Sequence, residues 1–274
     1  MAETCYRHPD RETRVSCSSC GRPICPECMT PTPVGMRCPE CSRQRTKVVR
    51  NPTGTPSSRV FPATVILIAI NVAVYLVEIL RGPGGLSGIS PQMYFEFALN
   101  GVEVAGGEWY RLVTGGFLHR EIWHILLNMV ALYFGGRLVE PAIGTPRFLA
   151  LYFASLLAGS FGALVVSGPD AFTVGASGAI FGVFGAAFVI AHGRGRTNVA
   201  SELGILIALN LAFTLGVPGI SVGAHFGGLI GGGICGAAIV AGERGYFGSQ
   251  RRLAEYLAIL AVAVVSVLGA LAVA

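Results

Sequence analysis

A serine set between small residues is the clearest sign of chemistry in this sequence. Ser177 lies in the stretch Gly-Ala-Ser-Gly at residues 175–178, where a long apolar segment begins. A serine hydroxyl is a poor nucleophile unless a base takes its proton. Two histidines follow it, His192 in a polar, arginine-bearing turn and His225 inside another apolar segment. The pattern predicts Ser177 as a nucleophile and His225 as its base.

Two further polar residues join this pair. His124 and Asn128 are four residues apart, so they share one face of a helix. Acidic residues near the later apolar segments lie only at segment ends, at Glu140, Asp170 and Glu202. A Ser-His-Asp triad is therefore hard to build, whereas a Ser-His dyad remains open. The competing interpretation is that Ser177 caps a helix and that the neighbouring glycines only pack.

The first 41 residues carry a different chemistry. Seven of the eight cysteines lie there, and with one histidine they form four pairs that each enclose two residues. Seven cysteines cannot all pair as disulfides, whereas zinc takes both cysteine and histidine, four ligands to each ion. The sequence predicts two structural zinc ions and a reducing compartment. The ligands are Cys5, His8, Cys17, Cys20, Cys25, Cys28, Cys38 and Cys41.

The elements that must position Ser177 and His225 are apolar spans. The chain of 274 residues is 52% hydrophobic and only 13% charged, with a mean hydropathy of +0.61, which is typical of a membrane protein. Residues 1–60 hold the whole net charge of +5, and residues 42–60 form a basic, polar linker. Seven apolar segments predict an all-α polytopic membrane protein. They are 61–80, 122–139, 147–167, 177–192, 202–217, 222–241 and 253–273.

Arginines indicate the orientation of these segments. With a cytoplasmic N-terminus, seven arginines fall in cytoplasmic loops and flanks and three on the outer side, which agrees with the positive-inside rule. The C-terminus then lies outside. Spans two, four and six all enter from the outer face, which brings Ser177, His225, His124 and Asn128 to similar depth. The loop 82–121 is semi-apolar and too short on apolar residues to span, so we expect it at the interface.

Taken together, these motifs resemble the rhomboid family of intramembrane serine proteases. The resemblance covers nearly all of residues 61–243 and rests on Gly-Ala-Ser-Gly at 175–178, Ala-His-x-x-Gly-x-x-x-Gly at 224–232 and the stretch from His119 to Asn128. It implies six core helices at 61–243 with a seventh at 253–273. It also implies a Ser177 nucleophile, a His225 base, and an oxyanion hole formed by Asn128, His124 and the Ser177 amide. Trp109 and Arg111 resemble the family's first-loop Trp-Arg signature, although Tyr110 separates them.

The ligand pairs at 1–41 resemble B-box-type zinc fingers. That resemblance implies a cross-brace, with Cys5, His8, Cys25 and Cys28 on one ion and the other four cysteines on the second. Such modules usually bind protein, so we expect a protein partner. Nucleic acid is the minor option, because Tyr6 is the only aromatic residue there that could stack on a base.

The favoured function is an intramembrane endopeptidase that cleaves transmembrane segments near the outer face. Substrate helices must unwind locally, because helical carbonyls are hydrogen-bonded and shielded. Span five and the loop 217–222 are candidates for a lateral gate and lid. Two rivals remain: a catalytically inactive rhomboid-like adaptor, and a transporter that uses intramembrane histidines as a proton relay.

Overall fold

The computed structural model describes residues 3–32, 35–43, 61–82 and 90–274. The chain divides into two compact units, residues 1–57 and 58–274, and each is described by itself. The predicted linker at 42–60 lies outside the described residues, except for Ser42 and Arg43. These two residues are the last of a short helix that begins at Pro39.

The N-terminal unit is built from very short elements. Strand β1 (Glu3–Thr4) pairs antiparallel with β2 (Glu12–Thr13), and β3 (Thr30–Thr32) pairs antiparallel with β4 (Gly35–Arg37). Helix α1 (Pro39–Arg43) follows the second hairpin. Ladders of two or three residues are too short to be stable alone, so other contacts must hold this unit together.

The second unit is helical, and every predicted apolar segment is a helix. Among the described residues, six helices are long and apolar enough to cross a membrane, and α8 (Ser177–Gly193) is a shorter apolar helix of 17 residues. The seven are α2 (Pro62–Arg81), α6 (Ile122–Ile143), α7 (Thr145–Ser167), α8 (Ser177–Gly193), α9 (Thr197–Gly216), α10 (Val222–Glu243) and α11 (Arg251–Val273). The architecture is therefore the predicted all-α polytopic fold with an additional C-terminal helix.

Two helix boundaries differ from the sequence prediction by more than two residues. Helix α9 begins at Thr197 instead of residue 202, because polar residues alternate with apolar ones in its first two turns and interrupt the apolar run. Helix α6 continues to Ile143 instead of residue 139, through Glu140 and Pro141. The Glu140 carboxylate is buried, and it accepts hydrogen bonds from the backbone N–H groups of Ala63 and Thr64 at 2.9 and 2.8 Å. It thereby satisfies free donors at the start of α2.

Helix α8 lies at the centre of the helical unit, with 12 of its 17 residues buried. Glycines allow α10 to approach it backbone to backbone. A Cβ added at Gly228 would lie 1.9 Å from the Gly178 carbonyl oxygen, and one at Gly232 would lie 2.0 Å from the Gly182 oxygen. These are the small-residue stripes predicted for spans four and six, and the prediction that they allow close contact is confirmed.

Three short helices lie in residues 90–121, the described part of the predicted interfacial loop after Gly82: α3 (Pro91–Phe97), α4 (Gly101–Ala105) and α5 (Arg111–Thr114). None is long enough to span a membrane. The loop is tied to the segment before α8 by an antiparallel bridge in which Leu99 and Thr173 exchange two backbone hydrogen bonds of 3.0 and 2.9 Å. The chain leading into Ser177 is therefore held by a segment more than seventy residues earlier.

An ion-pair network joins the ends of four helices. Glu255 on α11 is fully buried and pairs with Arg147 of α7 at 2.8 Å and with Arg251 at 2.7 Å. Glu243 at the end of α10 pairs with Arg194, directly after α8, at 2.6 Å. All three arginines belong to the set that the sequence assigns to the cytoplasmic side.

Candidate active site and metal-binding groups

Ser177 is the first residue of α8, and the turn before it is tightly constrained. Gly175 has a φ of +120°, a conformation that favours glycine, and a Cβ there would lie 2.7 Å from Nε2 of His124. The residue at the helix N-cap is Ala176, and no side chain caps this helix end. The interpretation of Ser177 as a helix cap is therefore wrong. Its hydroxyl is half-buried and turns to another partner.

That partner is His225, near the start of α10. Nε2 of His225 lies 2.8 Å from Oγ of Ser177, across 48 residues of sequence. Ser221 caps α10 by accepting from the Ala224 N–H at 3.2 Å, and the contact between Gly228 and Gly178 sets the spacing of the two helices. The structure thus brings together the two residues that the sequence singled out.

Two other side chains hold the His225 ring. Phe181 stacks on it, with ring centroids 4.1 Å apart and an interplanar angle of 20°. Oγ1 of Thr214 lies 2.7 Å from Nδ1 of His225, and the same hydroxyl donates to the Asn210 carbonyl at 2.7 Å. Ser177, Phe181 and Thr214 therefore contact the imidazole at Nε2, at one ring face and at Nδ1.

His124 and Asn128 lie on α6, as the spacing predicted. Nδ1 of His124 accepts from the Arg120 N–H at a long 3.4 Å, and its Nε2 is directed at Gly175. In a neutral imidazole whose Nδ1 accepts, Nε2 carries the hydrogen. Nδ2 of Asn128 donates one of its two N–H groups to the His124 carbonyl at 2.8 Å. His124 therefore presents a donor beside the Ser177 turn.

His192 is not part of this cluster. It lies at the far end of α8 from Ser177, and fifteen residues of helix amount to about 22 Å. Its ring stacks on Phe188, with centroids 6.3 Å apart. Of the two histidines that follow Ser177, geometry selects His225.

Trp109 and Arg111 have different surroundings. Arg111 is buried and donates to the carbonyls of Phe95 and Ala98 at 2.7 and 3.0 Å, and it pairs with Glu108 at 2.5 Å. It therefore holds the loop that contains α3 and α5 together. Trp109 is 66% exposed.

The sequence analysis did not identify Thr214 or Phe181. Phe181 is four residues after Ser177, so helical spacing alone places it on the same face. Asn210 and Thr214 form a polar pair at the same spacing near the end of an apolar span. A search for polar residues close to the span ends nearest His225 would have found Thr214.

The N-terminal unit gathers its eight ligands into two groups of four. Cys5, His8, Cys25 and Cys28 form one group, and Cys17, Cys20, Cys38 and Cys41 form the other. This is the grouping that the cross-brace resemblance implies. Within each group the ligand atoms all lie within 4.8 Å of one another. Both groups could hold a metal ion.

The distances within the groups fit a tetrahedral ion. Nδ1 of His8 lies 3.3 Å from Sγ of Cys25 and 3.5 Å from Sγ of Cys28, and the sulfurs of Cys20 and Cys38 are 3.8 Å apart. Zinc–sulfur bonds of about 2.3 Å in a tetrahedron place sulfurs about 3.8 Å apart. The donor set and its spacing therefore fit a metal ion with four ligands.

The thiols in one group differ in pKa. Burial by itself raises the pKa of Cys5, but backbone N–H groups of Cys25, Arg7 and His8 outweigh it and lower the pKa to about 6. Burial and the neighbouring Cys25 thiol raise the pKa of Cys28 to about 11. A divalent cation would offset the repulsion between neighbouring thiolates, because it binds thiolates and displaces their protons.

Comparison with known proteins covers the helical unit. Residues 106–242 match the Rhomboid domain. The chain is 35% identical over 203 residues to the rhomboid protease GluP of Bacillus subtilis (strain 168), an alignment that covers 73% of this chain and 39% of that protein. It is 36% identical over 133 residues to the putative rhomboid protease YdcA of the same organism, covering 47% of this chain and 66% of that protein.

A third relative is the rhomboid-like protease 5 of Toxoplasma gondii, which is 33% identical over 171 residues, 58% of this chain and 20% of that protein. The chain thus spans less than two thirds of the length of each of these relatives. The eight metal ligands lie before the region that matches the Rhomboid domain.

Proposed function

This chain belongs to the rhomboid family, and on that premise we propose that it is an intramembrane serine endopeptidase with a Ser177–His225 dyad. The observation that carries the proposal is the 2.8 Å contact between Nε2 of His225 and Oγ of Ser177 at the start of a central apolar helix. A nucleophile and a base within hydrogen-bond reach are what serine catalysis requires.

Acylation follows from this contact. Nε2 of His225 accepts the hydroxyl proton as Oγ of Ser177 forms a bond to the carbonyl carbon of the scissile peptide, and the carbonyl oxygen becomes an oxyanion. Collapse of the tetrahedral species breaks the C–N bond. His225 gives its proton to the departing amine, and an ester on Ser177 remains.

The oxyanion needs donors at the turn before α8. We assign this role to the Ser177 backbone N–H, which lies in the first turn of a helix and has no acceptor within that helix, and to the side chains of His124 and Asn128. Support comes from Nε2 of His124, which faces Gly175, and from the second N–H of the Asn128 amide. Such a donor typically contributes about 100- to 1,000-fold to turnover.

Water completes the cycle. It attacks the ester carbon while Nε2 of His225 accepts its proton, and the returning proton releases Ser177 and a carboxylic acid. A cavity of about 20 Å³ adjoins the Ser177 turn and is bordered by Ser160, Thr173 and Gly175. That volume corresponds to about one water molecule.

The substrates that we propose are transmembrane segments of other proteins. A helix of 17 residues is about 25 Å long and the hydrocarbon core about 30 Å thick, so a nucleophile at one end of α8 would lie just below one membrane surface. Segments with glycine or other helix-weakening residues near that surface should be preferred, because their carbonyls are released most easily.

We propose that this surface is the outer one and that the protein is a multi-pass protein of the cell membrane. The ion-pair network of Arg147, Arg194 and Arg251 marks the opposite end of the helices, where positive-inside residues belong. The N-terminal unit would then lie in the cytoplasm and the end of α11 outside. A reducing cytoplasm also suits the cysteine ligands.

The N-terminal unit is proposed to bind two structural zinc ions and a protein partner. All eight ligands are used in two closed groups of four, so neither ion would keep an open position for catalysis. Residues 44–60 would then act as a linker between this module and the protease core at 61–243.

A serine-directed fluorophosphonate tests the proposal. The full-length protein in detergent should react at one residue, and it should cleave some members of a panel of membrane-anchored candidate peptides. Ser177→Ala should abolish both reactions without lowering the thermal midpoint of unfolding. Ser167→Ala, which changes an exposed serine at the end of α7, is the matched control and should behave as the parent protein does.

The two rival functions give other results. An inactive adaptor or a histidine proton relay would leave the folded protein unreactive towards the fluorophosphonate. Reaction of the Ser177→Ala variant at an undiminished rate would place the nucleophile elsewhere and overturn the dyad.

A further inference from the structure

Helix α9 contributes one side chain to the catalytic cluster, and it does so from an exposed helix. Of its twenty residues only Ala200, Leu203 and Thr214 are buried. Between Gly204 and Gly216, all of which the structure describes, Thr214 is the one buried residue and is 2% exposed. The end of α9 near the site therefore contacts the interior through this residue.

The hydrogen bonds of Thr214 fix the direction of its hydroxyl. Oγ1 lies 2.7 Å from the Asn210 carbonyl oxygen and 2.7 Å from Nδ1 of His225. A hydroxyl has one hydrogen to donate, and a carbonyl oxygen can only accept. The hydrogen of Thr214 therefore goes to Asn210, and a lone pair of Oγ1 faces His225.

This direction determines the tautomer of His225. Because a lone pair of Thr214 Oγ1 faces Nδ1 of His225, Nδ1 must carry the ring hydrogen and donate it to Thr214. In a neutral imidazole, Nε2 is then the acceptor, and Nε2 is the atom that faces Ser177 at 2.8 Å. No carboxylate is hydrogen-bonded to His225 within the described part of the chain, so a neutral hydroxyl takes the orienting position that an aspartate occupies in a triad.

We propose that Thr214 is a positioning residue that holds His225 in the tautomer able to accept the Ser177 proton. The inference rests on the proposed function for its catalytic consequence, but the tautomer itself can be measured without activity. Because Thr214 belongs to α9, the base is competent only while the outer end of α9 is docked. Displacement of α9 would remove the acceptor from Nδ1 and allow the hydrogen to move to Nε2.

Three variants of the full-length protein in detergent test this role. Thr214→Val keeps the shape and removes the hydroxyl, and Thr214→Ser keeps the hydroxyl. Ser266→Ala is the matched control, because Ser266 is also buried and donates to a carbonyl four residues earlier, at 2.7 Å, but contacts no histidine. The measurement is the rate of inactivation by a fluorophosphonate, separated into its limiting rate constant and its half-saturating concentration.

We expect Thr214→Val to lower the limiting rate constant about 10- to 100-fold, the range that follows from leaving one buried donor unpaired. The half-saturating concentration should stay unchanged, because Thr214 orients the base and does not bind the probe. Thr214→Ser and Ser266→Ala should react at nearly the parent rate. Equal rates for Thr214→Val and the parent, or equal losses in the valine and serine variants, would overturn the proposal.

Nuclear magnetic resonance of protein labelled with ¹⁵N-histidine supplies a readout that does not depend on catalysis. The His225 signals are identified by their loss in a His225→Ala variant. We expect a neutral ring with the hydrogen on Nδ1 in the parent protein and a shift towards Nε2 in Thr214→Val. A hydrogen on Nε2 in the parent protein contradicts the inference, even if the enzyme is active. If the parent protein does not react with the probe, the proposed function fails. The measured tautomer of His225 still tests whether its Nδ1 donates to Thr214.

Discussion

The two units of this chain are held together by different means. In residues 3–43 the buried apolar cluster consists of Ile24 and six of the seven cysteine ligands, so the core of the unit is its ligand set. In the described residues of 61–274, helix backbones approach one another closely at glycines such as Gly228 and Gly232. Under the proposed function, the N-terminal unit would depend on bound metal ions, whereas the helical unit depends on glycines that let its helices approach closely.

This difference teaches which perturbations each unit can tolerate. Metal binding to a small ligand-rich unit supplies its folding free energy, so loss of the metal unfolds it as a whole. A membrane helix pair has no comparable hydrophobic gain and relies on close packing, so added atoms at the contact are what disrupt it. Each unit should therefore be insensitive to the treatment that destroys the other.

The largest effect should come from metal removal. We expect two zinc ions per full-length chain and none after deletion of residues 1–45, with apparent binding energies of about 10–16 kcal/mol per ion lost from the N-terminal unit. Proteolysis by the deleted form should be largely intact. Elemental analysis and a cleavage assay check both statements. Cys25→Ser and Cys17→Ser should each reduce the metal content, since they affect different groups.

If the deleted form kept zinc, or lost all cleavage while still folded, the two units would not be separable. Chelation that lowered the thermal midpoint of the helical unit would contradict the comparison in the same way.

An intermediate effect is expected at the glycine contact. Gly228→Ala places a methyl group where the Gly178 carbonyl oxygen lies, so α10 must move away from α8 and carry His225 with it. Overpacking of this kind costs about 1–3 kcal/mol. The thermal midpoint of unfolding in detergent and the rate of fluorophosphonate labelling of Ser177 should both fall, while the zinc content remains at two ions.

Gly233→Ala is the control on the same helix, because the nearest atom to its added methyl group is a Val189 methyl at 4.0 Å. Equal behaviour of the Gly228 and Gly233 variants would mean that the backbone contact does not set the distance between Ser177 and His225.

The smallest effect should appear at Glu140. Glu140→Gln replaces one acceptor oxygen by a donor, so one of the N–H groups at the start of α2 loses its partner. We expect a loss of about 1 kcal/mol, the lower end of the range for an unsatisfied buried donor, because the remaining amide oxygen still accepts one of these bonds. The free energy of unfolding in detergent measures it. Glu202→Gln removes an exposed charge and should change the free energy of unfolding little. Similar losses in both variants would mean that the loss of charge, and not of the hydrogen bonds, causes the destabilisation.

The sequence predicted most of the elements because apolar length and ligand spacing are local properties. Seven apolar segments became seven helices, and Ser177 and His225 were visible from their glycine-rich surroundings. The hydrogen bonds of Glu140 could not be predicted, because a carboxylate at the end of an apolar segment indicates only a helix boundary. Its partners at Ala63 and Thr64 are distant in sequence and become known only from the fold. The contact of Thr214 with His225 could not be predicted for the same reason, since it forms only when α9 lies beside α10.

The long separation between the members of the site bears on synthesis of the protein. The segment before Ser177 is joined to Leu99 by a bridge at Thr173, and Ser177 contacts His225, which comes 48 residues later. Because chains emerge from the ribosome N-terminus first, α8 is made before any part of α10 exists. A nascent or truncated chain that ends before His225 holds the serine but no base. Under the proposed function, a copy would therefore become able to cleave only after α10 has been made.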